Sequence, residues 1–332
     1  MNRKLKRLVL PLYYSALPYA NYLINVRRHG EFSRRYIPRE VQIETTSICN
    51  AECIMCPQDK LTRPKHHMPM ETFTKVIDEC AEFEGSGLRI TLHKDGDPML
   101  DRLLFDRIDY IRDKLKKSLV VFNTNAFAMD ESKQERLLES PPDVLQFSVD
   151  GASKETYEPI RVGLKYEVVK GNIEAFLDKR KAKRQSNGNR PRPKVFIQMV
   201  ADKSNFHEAA TFREMWQDKV DRVLIKGMHN FRVQGTSMHG AELSETQLHR
   251  CIYPFNTMII YSNGEVGLCC WDYDNEVKLG NIQKRSLLEV YNSEQFMKFR
   301  QAQIRMDCKD IELCSGCSQI YGRDNRFEQA EL

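Results

Sequence analysis

From residue 40 onward, short apolar runs alternate with longer segments in which apolar residues recur every three or four positions. The short runs have the length of buried strands, and the periodic segments have the pattern of amphipathic helices. Such alternation predicts an α/β fold with a parallel sheet. The predicted strands are Val41–Thr45, Leu88–His93, Leu119–Asn123, Val144–Ser148, Val195–Val200 and Arg222–Lys226. The predicted helices are Glu71–Phe83, Arg102–Lys116, Glu167–Arg184 and His207–Trp216.

Beyond residue 226 this rhythm stops and a hairpin pattern follows. Two apolar runs, Thr257–Tyr261 and Glu265–Leu268, flank Asn263-Gly264. Asn-Gly between such runs is a strong hairpin signal. One further helix is predicted at Ser286–Gln301. The changes of pattern divide the chain into an N-terminal segment (1–39), an α/β region (40–230) and a small α+β region (231–332).

The N-terminal segment has an uncharged run, Leu8–Val26, between two groups of basic residues. Pro11 and Pro18 make this run a poor bilayer-spanning helix, and no convincing signal-cleavage site follows it. The segment is predicted to be a helical arm. The alternative is a tyrosine-rich amphipathic segment that lies in the membrane interface, which would make the protein peripheral to the membrane.

The composition is that of a soluble globular protein, with 41% hydrophobic and 29% charged residues among 332. The net charge of +5 is spread along the chain, so no nucleic-acid partner is expected. There are ten cysteines, of which three lie within residues 49–56 and six after residue 250. This grouping favours bound clusters over disulfides. We therefore expect a cytoplasmic location.

Cys49, Cys53 and Cys56 follow the first predicted strand, with three and then two residues between them. Cysteine thiolates hold iron–sulfur clusters, and a cubane cluster has four ligand positions. Three thiolates would leave one iron open for a substrate or cofactor. The alternative is a zinc site with His66 or His67 as the fourth ligand.

This spacing resembles that of the radical S-adenosylmethionine (SAM) superfamily. The resemblance implies a partial (β/α)6 TIM-like barrel and a 4Fe-4S cluster whose open iron binds SAM. It further implies an external one-electron reductant, such as flavodoxin or ferredoxin, and a 5′-deoxyadenosyl radical that abstracts hydrogen from the substrate. In such barrels the binding residues lie at the carboxyl ends of the strands.

Strand-end residues also resemble the SAM-binding motifs of this superfamily. Gly96-Asp97-Pro98 is similar to its Gly-Gly-Glu-Pro motif, although Asp97 stands where Glu is usual. Ser148 is implied to contact the SAM ribose, and Arg161 the SAM carboxylate or the substrate. The full set of implied SAM-binding residues is Gly96, Asp97, Asn123, Ser148, Asp150, Arg161 and Gln198.

A second cysteine group surrounds the predicted hairpin. It resembles the SPASM/twitch extension of radical SAM enzymes, including the Gly-x-x-x-x-Cys signature from Gly264 to Cys269. The resemblance implies one auxiliary 4Fe-4S cluster, with Cys270 as the alternative to Cys269. The implied ligands are Cys251, Cys269, Cys314 and Cys317. A structural zinc ribbon is the other interpretation of four such thiolates.

The one-cluster layout is similar to that of radical SAM enzymes that oxidise an aminocyclitol alcohol. We therefore expect dehydrogenation or epimerisation of a sugar or aminocyclitol. An epimerase needs a hydrogen-atom donor, and Cys270 and Cys308 are the thiols left for that role. The alternatives are a maturase that modifies a ribosomally made peptide and a non-catalytic iron–sulfur electron carrier.

Overall fold

A mixed sheet lies at the centre of the structure, a computed structural model that describes residues 36–85, 87–187, 192–227, 251–315 and 317. The strands are β1 (Glu40–Ile43), β2 (Glu52–Cys53), β3 (Arg89–Thr91), β4 (Leu119–Thr124), β5 (Val144–Ser148), β6 (Arg161–Val162), β7 (Lys194–Ala201), β8 (Arg222–Gly227), β9 (Thr257–Ile260), β10 (Glu265–Gly267) and β11 (Gly280–Asn281). Strands β1, β3, β4, β5, β7 and β8 are neighbours in that order, and all are parallel. The predicted α/β class with a parallel sheet is confirmed.

The helices cover one face of this sheet. They are α1 (Met70–Ala81), α2 (Leu104–Lys114), α3 (Glu131–Glu139), α4 (Lys154–Ile160), α5 (Tyr166–Asn187), α6 (Ala209–Trp216), α7 (Tyr253–Asn256), α8 (Leu287–Tyr291) and α9 (Glu294–Arg305). Alternate strand residues such as Val41, Ile90 and Ile197 are fully buried in the core that the helices complete. Because side chains alternate along a strand, the intervening residues line the inner face. Those residues include Gln42, Thr91, Asn123, Gln146 and Gln198.

The C-terminal hairpin extends the same sheet. Strand β9 is parallel to β1, with Glu40 opposite Thr257 and Ile43 opposite Ile260. Strand β10 returns antiparallel to β9, and β11 pairs antiparallel with β10. The second cysteine region is therefore joined to the α/β region by backbone hydrogen bonds.

The helix predicted at Ser286–Gln301 is wrong as a single element, since it is two helices, α8 and α9. Ser286 and Glu289 form a capping box at the start of α8, and the Ser293 side chain caps α9 by accepting from Phe296 N. Asn292 at the break bonds to the backbone of Tyr36 in both directions. The sequence prediction also lacks α3 and α4, whose few apolar residues give a weak periodic signal.

Within the described ranges, no helix is long and apolar enough to span a bilayer. The predicted arm or interfacial segment at 1–39 lies outside the described residues, apart from its last four positions. The first twenty residues of the region predicted at 231–332 also lie outside them. The domain boundaries remain predictions.

Candidate active site

The loop that carries Cys49, Cys53 and Cys56 begins shortly after β1 and is held by its neighbours. The Gln58 side-chain amide donates to Ser47 O at 2.6 Å and to Asp95 O at 2.9 Å. It thereby fixes the loop against the chain that follows β3. Cys53 lies in β2, which pairs with β6 and brings Arg161 opposite Cys53.

Arg161 contacts the cysteine loop directly. Its Nη1 lies 3.5 Å from Cys53 Sγ, and its Nε donates to Asp150 Oδ2 at 2.6 Å. The other Asp150 oxygen accepts from Val200 N at 2.7 Å. Burial alone would lower the pKa of Arg161, but Asp150 and Cys53 raise it well above its usual value. Arg161 therefore provides a permanent positive charge beside the Cys53 thiol.

The Asp97 carboxylate is turned into the protein. It accepts from Thr124 Oγ1 at 2.9 and 3.0 Å, from Asn125 N at 2.7 Å and from Met99 N at 2.9 Å. Through these bonds Asp97 joins the end of β3 to the end of β4, and its contact with SAM remains a prediction.

Gly96 allows the backbone after β3 to lie against the cysteine loop. A Cβ atom at Gly96 would meet Thr46 O at 2.3 Å and Ile48 O at 2.7 Å. Asp97 N also donates to Ile48 O at 3.0 Å. The close approach requires glycine at this position. The contact of Gly96 with SAM remains a prediction.

Asn125 ties the end of β4 to the cysteine loop and was missed by the sequence reasoning. Its Nδ2 donates to Asn50 Oδ1 at 2.8 Å and lies 4.0 Å from Cys49 Sγ. Asn123, the predicted SAM-binding residue on the same strand, instead donates its backbone N–H to His93 Nδ1 at 3.2 Å. Both asparagines lie at the end of β4, and only the structure distinguishes their contacts.

Ser148 and Gln198 lie opposite one another on β5 and β7. Gln198 Oε1 accepts from Gln146 Nε2 at 3.0 Å. Both predicted residues are therefore on the inner face. Ser148 is the last residue of β5, and Gln198 lies in the carboxyl half of β7. Their contact with SAM remains a prediction.

Two thiols of the first group, those of Cys49 and Cys56, are protonated at neutral pH when no metal is bound. Burial, with help from Asp97, raises the pKa of Cys49 to about 11. Burial, Cys53 and Asp95 raise the pKa of Cys56 to about 12. Binding of iron must therefore displace protons, which couples assembly of the site to pH.

The second cysteine group lies beside α9. Cys251, Cys314 and Cys317 pack in one cluster with Cys308 and Trp271. Gln303, another residue missed from the sequence, accepts from Cys251 N at 2.9 Å and lies 3.7 Å from Cys314 Sγ. This side chain joins two of the predicted ligands.

Cys269 and Cys270 have different surroundings. After burial and Cys270, the groups that raise the pKa of Cys269 well above its usual value include Cys251 and Cys314. Cys270 instead accepts a hydrogen bond from the Tyr253 side chain, and Lys94 lies near it; burial nevertheless raises its pKa to about 12. These surroundings favour Cys269 as the ligand, and that assignment remains a proposal.

A buried network of charges connects the two regions. Arg63 donates to Glu44 at 2.8 Å and to Asp95 at 2.8 Å. Lys94 bonds to Asp95 and donates to Asp272 O at 3.0 Å. Burial alone would raise the pKa of Glu44, but Arg63 and Lys94 lower it below its usual value. Both cations also lie over the Tyr261 ring, at 4.9 and 4.5 Å from its centre.

The donor sets fit iron–sulfur clusters. The first loop offers three thiols next to a guanidinium and a glycine cradle. The second region brings together Cys251, Cys314 and Cys317, three of the four predicted ligands, with Cys308. His66, a proposed zinc ligand, has its Nδ1 3.1 Å from Pro64 O. In the part of the chain that the structure describes, no three His, Cys, Asp or Glu side chains converge as ligands of a single ion.

Comparison with known families decides the class. Residues 43–185 match the radical SAM superfamily, and residues 251–318 match SPASM, an iron-sulfur cluster-binding domain. The chain belongs to the radical SAM superfamily. This radical SAM protein is accordingly an enzyme, and its two domains imply 4Fe-4S clusters and SAM as cofactors. The predicted family, enzyme class and cofactors are confirmed, and the electron-carrier alternative is not retained.

Two curated relatives resemble this radical SAM enzyme. A probable GTP 3′,8-cyclase of Methanococcus maripaludis is 27% identical over 143 residues, which are 42% of this chain but only 46% of that protein. The S-adenosyl-L-methionine-dependent 2-deoxy-scyllo-inosamine dehydrogenase of Niallia circulans is 19% identical over 84% of this chain and 92% of its own.

Solved structures share the fold. BtrN in complex with AdoMet and 2-DOIA has a TM-score of 0.60 and 16% identity, covering 87% of this chain and 98% of its own. SuiB of Streptococcus suis bound to S-adenosylmethionine has a TM-score of 0.64 and 16% identity, covering 91% of this chain and 76% of its own. Native anSMEcpe with bound AdoMet has a TM-score of 0.61, also at 16% identity, covering 87% and 92%.

Proposed function

We propose that this enzyme dehydrogenates or epimerises a polar small molecule of the sugar or aminocyclitol class. The observation that carries the proposal is a set of polar side chains on the inner face of the sheet. Gln42, Thr91, Asn123, Gln146 and Gln198 lie there, while the alternate residues are apolar and face the helices. Hydrogen-bonding groups suit a hydroxylated ligand, because an apolar ligand would leave them unpaired.

The similarity to a full-length aminocyclitol dehydrogenase supports the same class. When bound, the first cluster and SAM supply a deoxyadenosyl radical that takes a hydrogen atom, and the auxiliary cluster can accept one electron. Oxidation of an alcohol to a carbonyl removes that hydrogen atom, the hydroxyl proton and one electron. A dehydrogenase needs the auxiliary cluster to accept that electron, whereas a redox-neutral epimerase does not.

The protein's own residues hold the first site in place. We propose that Cys49, Cys53 and Cys56 are the cluster ligands, with the Arg161 guanidinium placing a positive charge beside Cys53. Asn125 and Asp97 then orient the loop and the strand ends around it.

For the epimerase outcome, Cys270 is the better hydrogen donor of the two thiols proposed. Cys308 is buried among Cys317, Trp271 and the other auxiliary cysteines. Cys270 has Lys94 and Glu40 near it, both of which belong to the α/β region. A thiol near the inner face of the sheet is better placed to meet a substrate radical.

A peptide substrate is the second candidate. SuiB bound to the precursor peptide SuiA has a TM-score of 0.62 with this chain, at 14% identity. That likeness concerns the fold, which both substrate classes share. The polar inner face favours the small molecule.

The test is anaerobic reconstitution with iron and sulfide, then reduction with SAM and a panel of aminocyclitols, amino sugars and peptides. About eight irons per chain are expected for two cubanes. Deoxyadenosine formation should rise with an aminocyclitol or sugar. An oxidised product identifies a dehydrogenase. In D2O, an epimer that has taken up solvent deuterium identifies an epimerase. Stimulation by peptides alone would refute the small-molecule proposal.

A further inference from the structure

Four adjacent strands place uncharged hydrogen-bonding side chains next to one another on the inner face of the sheet. His93 follows β3, Asn123 lies in β4, Gln146 in β5 and Gln198 in β7. Asn123 and Gln146 are opposite one another in the register. Two of these residues, His93 and Gln146, have no role in the site as assigned above.

The ring of His93 is held in one tautomer. Its Nδ1 accepts the backbone N–H of Asn123 at 3.2 Å, so in the neutral ring the proton is on Nε2. Burial, with Arg89 and Lys226 nearby, lowers the pKa of His93 to about 3, which keeps the ring neutral at physiological pH. No group among the described residues accepts the Nε2 hydrogen. The ring therefore presents a fixed donor.

The pair of glutamines on β5 and β7, Gln146 and Gln198, offers both a hydrogen-bond donor and an acceptor. Gln146 Nε2 donates to Gln198 Oε1 at 3.0 Å. This leaves Gln146 Oε1 as an acceptor and Gln198 Nε2 as a donor. Together with His93, from which strand β4 separates it, the pair presents donor, acceptor and donor on one face of the sheet.

The strand that carries Asn123 leads directly to the first cysteine loop. The chain runs from Asn123 into Thr124 and Asn125, which bond to Asp97 and Asn50. Sites in barrels of parallel strands form at this carboxyl end. A ligand on the inner face here would be next to the radical-forming site.

We propose that His93, Gln146 and Gln198 form a neutral substrate-binding shelf, in which His93 Nε2–H donates to a substrate oxygen. The inference deepens the proposed function and rests on it. The shelf fits a ligand that carries several hydroxyl or amino groups. His93 acts as a binding donor and not as a base, because its second nitrogen is already engaged by Asn123.

The test measures binding of 2-deoxy-scyllo-inosamine to the reconstituted enzyme with SAM by equilibrium dialysis. His93→Phe keeps a ring without the donor, and we expect about tenfold weaker binding, the loss of roughly one hydrogen bond. His93→Gln keeps an N–H and should lose much less. His207→Phe and His207→Gln, at a position outside the sheet, are the matched controls. SAM affinity and iron content should not change.

Equal probe binding by wild type and His93→Phe would overturn the shelf. A loss of SAM affinity in the same variant would also overturn it, since the ring would then serve SAM. No binding by any variant would refute the aminocyclitol class of the proposed function. The His93 inference is then decided by 15N NMR of histidine-labelled enzyme, where an Nδ1–H tautomer or titration near pH 6.5 would overturn it.

Discussion

Arg63 donates to both carboxylate oxygens of Glu44, and this buried pair joins the chain after the first cysteine loop to the end of β1. Ser262, at the tip of the hairpin, also donates to Glu44 Oε2 through its backbone N–H at 3.0 Å and its hydroxyl at 2.8 Å. One carboxylate at the end of β1 therefore contacts two other parts of the chain, at Arg63 and Ser262.

Arg63→Met should destabilise the enzyme strongly, because it leaves the Glu44 charge buried without its partner. Breaking such a pair costs about 3–5 kcal/mol. Anaerobic thermal unfolding should show a fall in Tm of several degrees. Lys298→Met, which removes an exposed pair with Glu294, is the control and should have little effect. An equal Tm for Arg63→Met and wild type would contradict the role of the pair.

Asp97→Glu restores the residue that is usual in the superfamily, yet we expect it to be harmful here. The longer side chain does not fit the pocket formed by Thr124, Asn125 and Met99. Overpacking of this kind costs about 1–3 kcal/mol. SAM affinity, measured by equilibrium dialysis, should not increase. Tighter SAM binding with unchanged stability would show that the carboxylate contacts SAM.

Gly96→Ala should disrupt the first site, because its Cβ would lie 2.3 Å from Thr46 O. The backbone has to move, and the cysteine loop moves with it. We expect loss of SAM cleavage and lower iron retention in the reconstituted protein. Gly171→Ala is the matched control, since nothing lies within 4 Å of a Cβ there and alanine is favoured within a helix. Normal cleavage by Gly96→Ala would refute the close approach.

The auxiliary ligands can be separated by iron analysis. Cys314→Ala with Cys317→Ala should reduce iron from about eight to about four per chain. Cys269→Ala should do the same, whereas Cys270→Ala should retain about eight because its thiol bonds to Tyr253. The opposite result for Cys269 and Cys270 would exchange their roles. Zinc in place of the lost iron would indicate a structural site.

His93 should make the protein less stable in mild acid. Its pKa is lowered from 6.5 to about 3 in the folded protein, so the unfolded chain binds an extra proton between these values. The contribution of neutral His93 to the free energy of unfolding is complete above pH 6.5. It is lost as the pH falls toward 3, at up to about 1.4 kcal/mol per pH unit. Arg89 and Lys226 face the ring and oppose its protonation. Between pH 7 and 5.5, denaturant unfolding should show about 1 kcal/mol more loss for wild type than for His93→Gln.

The strands were predictable because their apolar runs are continuous, and the cysteine loops because their spacing is local. Arg161 was predicted as a functional residue, but its contact with Cys53 depends on β2 and β6, which have two residues each and leave no periodic signal. The orientation of Asp97 depends on donors from β4, about 27 residues away. Contacts such as Arg63–Glu44 and Gln303–Cys251 have no sequence signature, because they form only when the sheet brings distant segments together.

The pairing of β1 with β3 on one side and β9 on the other also bears on how such enzymes diversify. One four-residue strand separates the two cysteine regions, and its backbone hydrogen bonds fix their spacing. Insertions in the connecting loops would reshape the substrate opening without changing that spacing. Substrate range can therefore evolve while the path between the two redox sites stays constant.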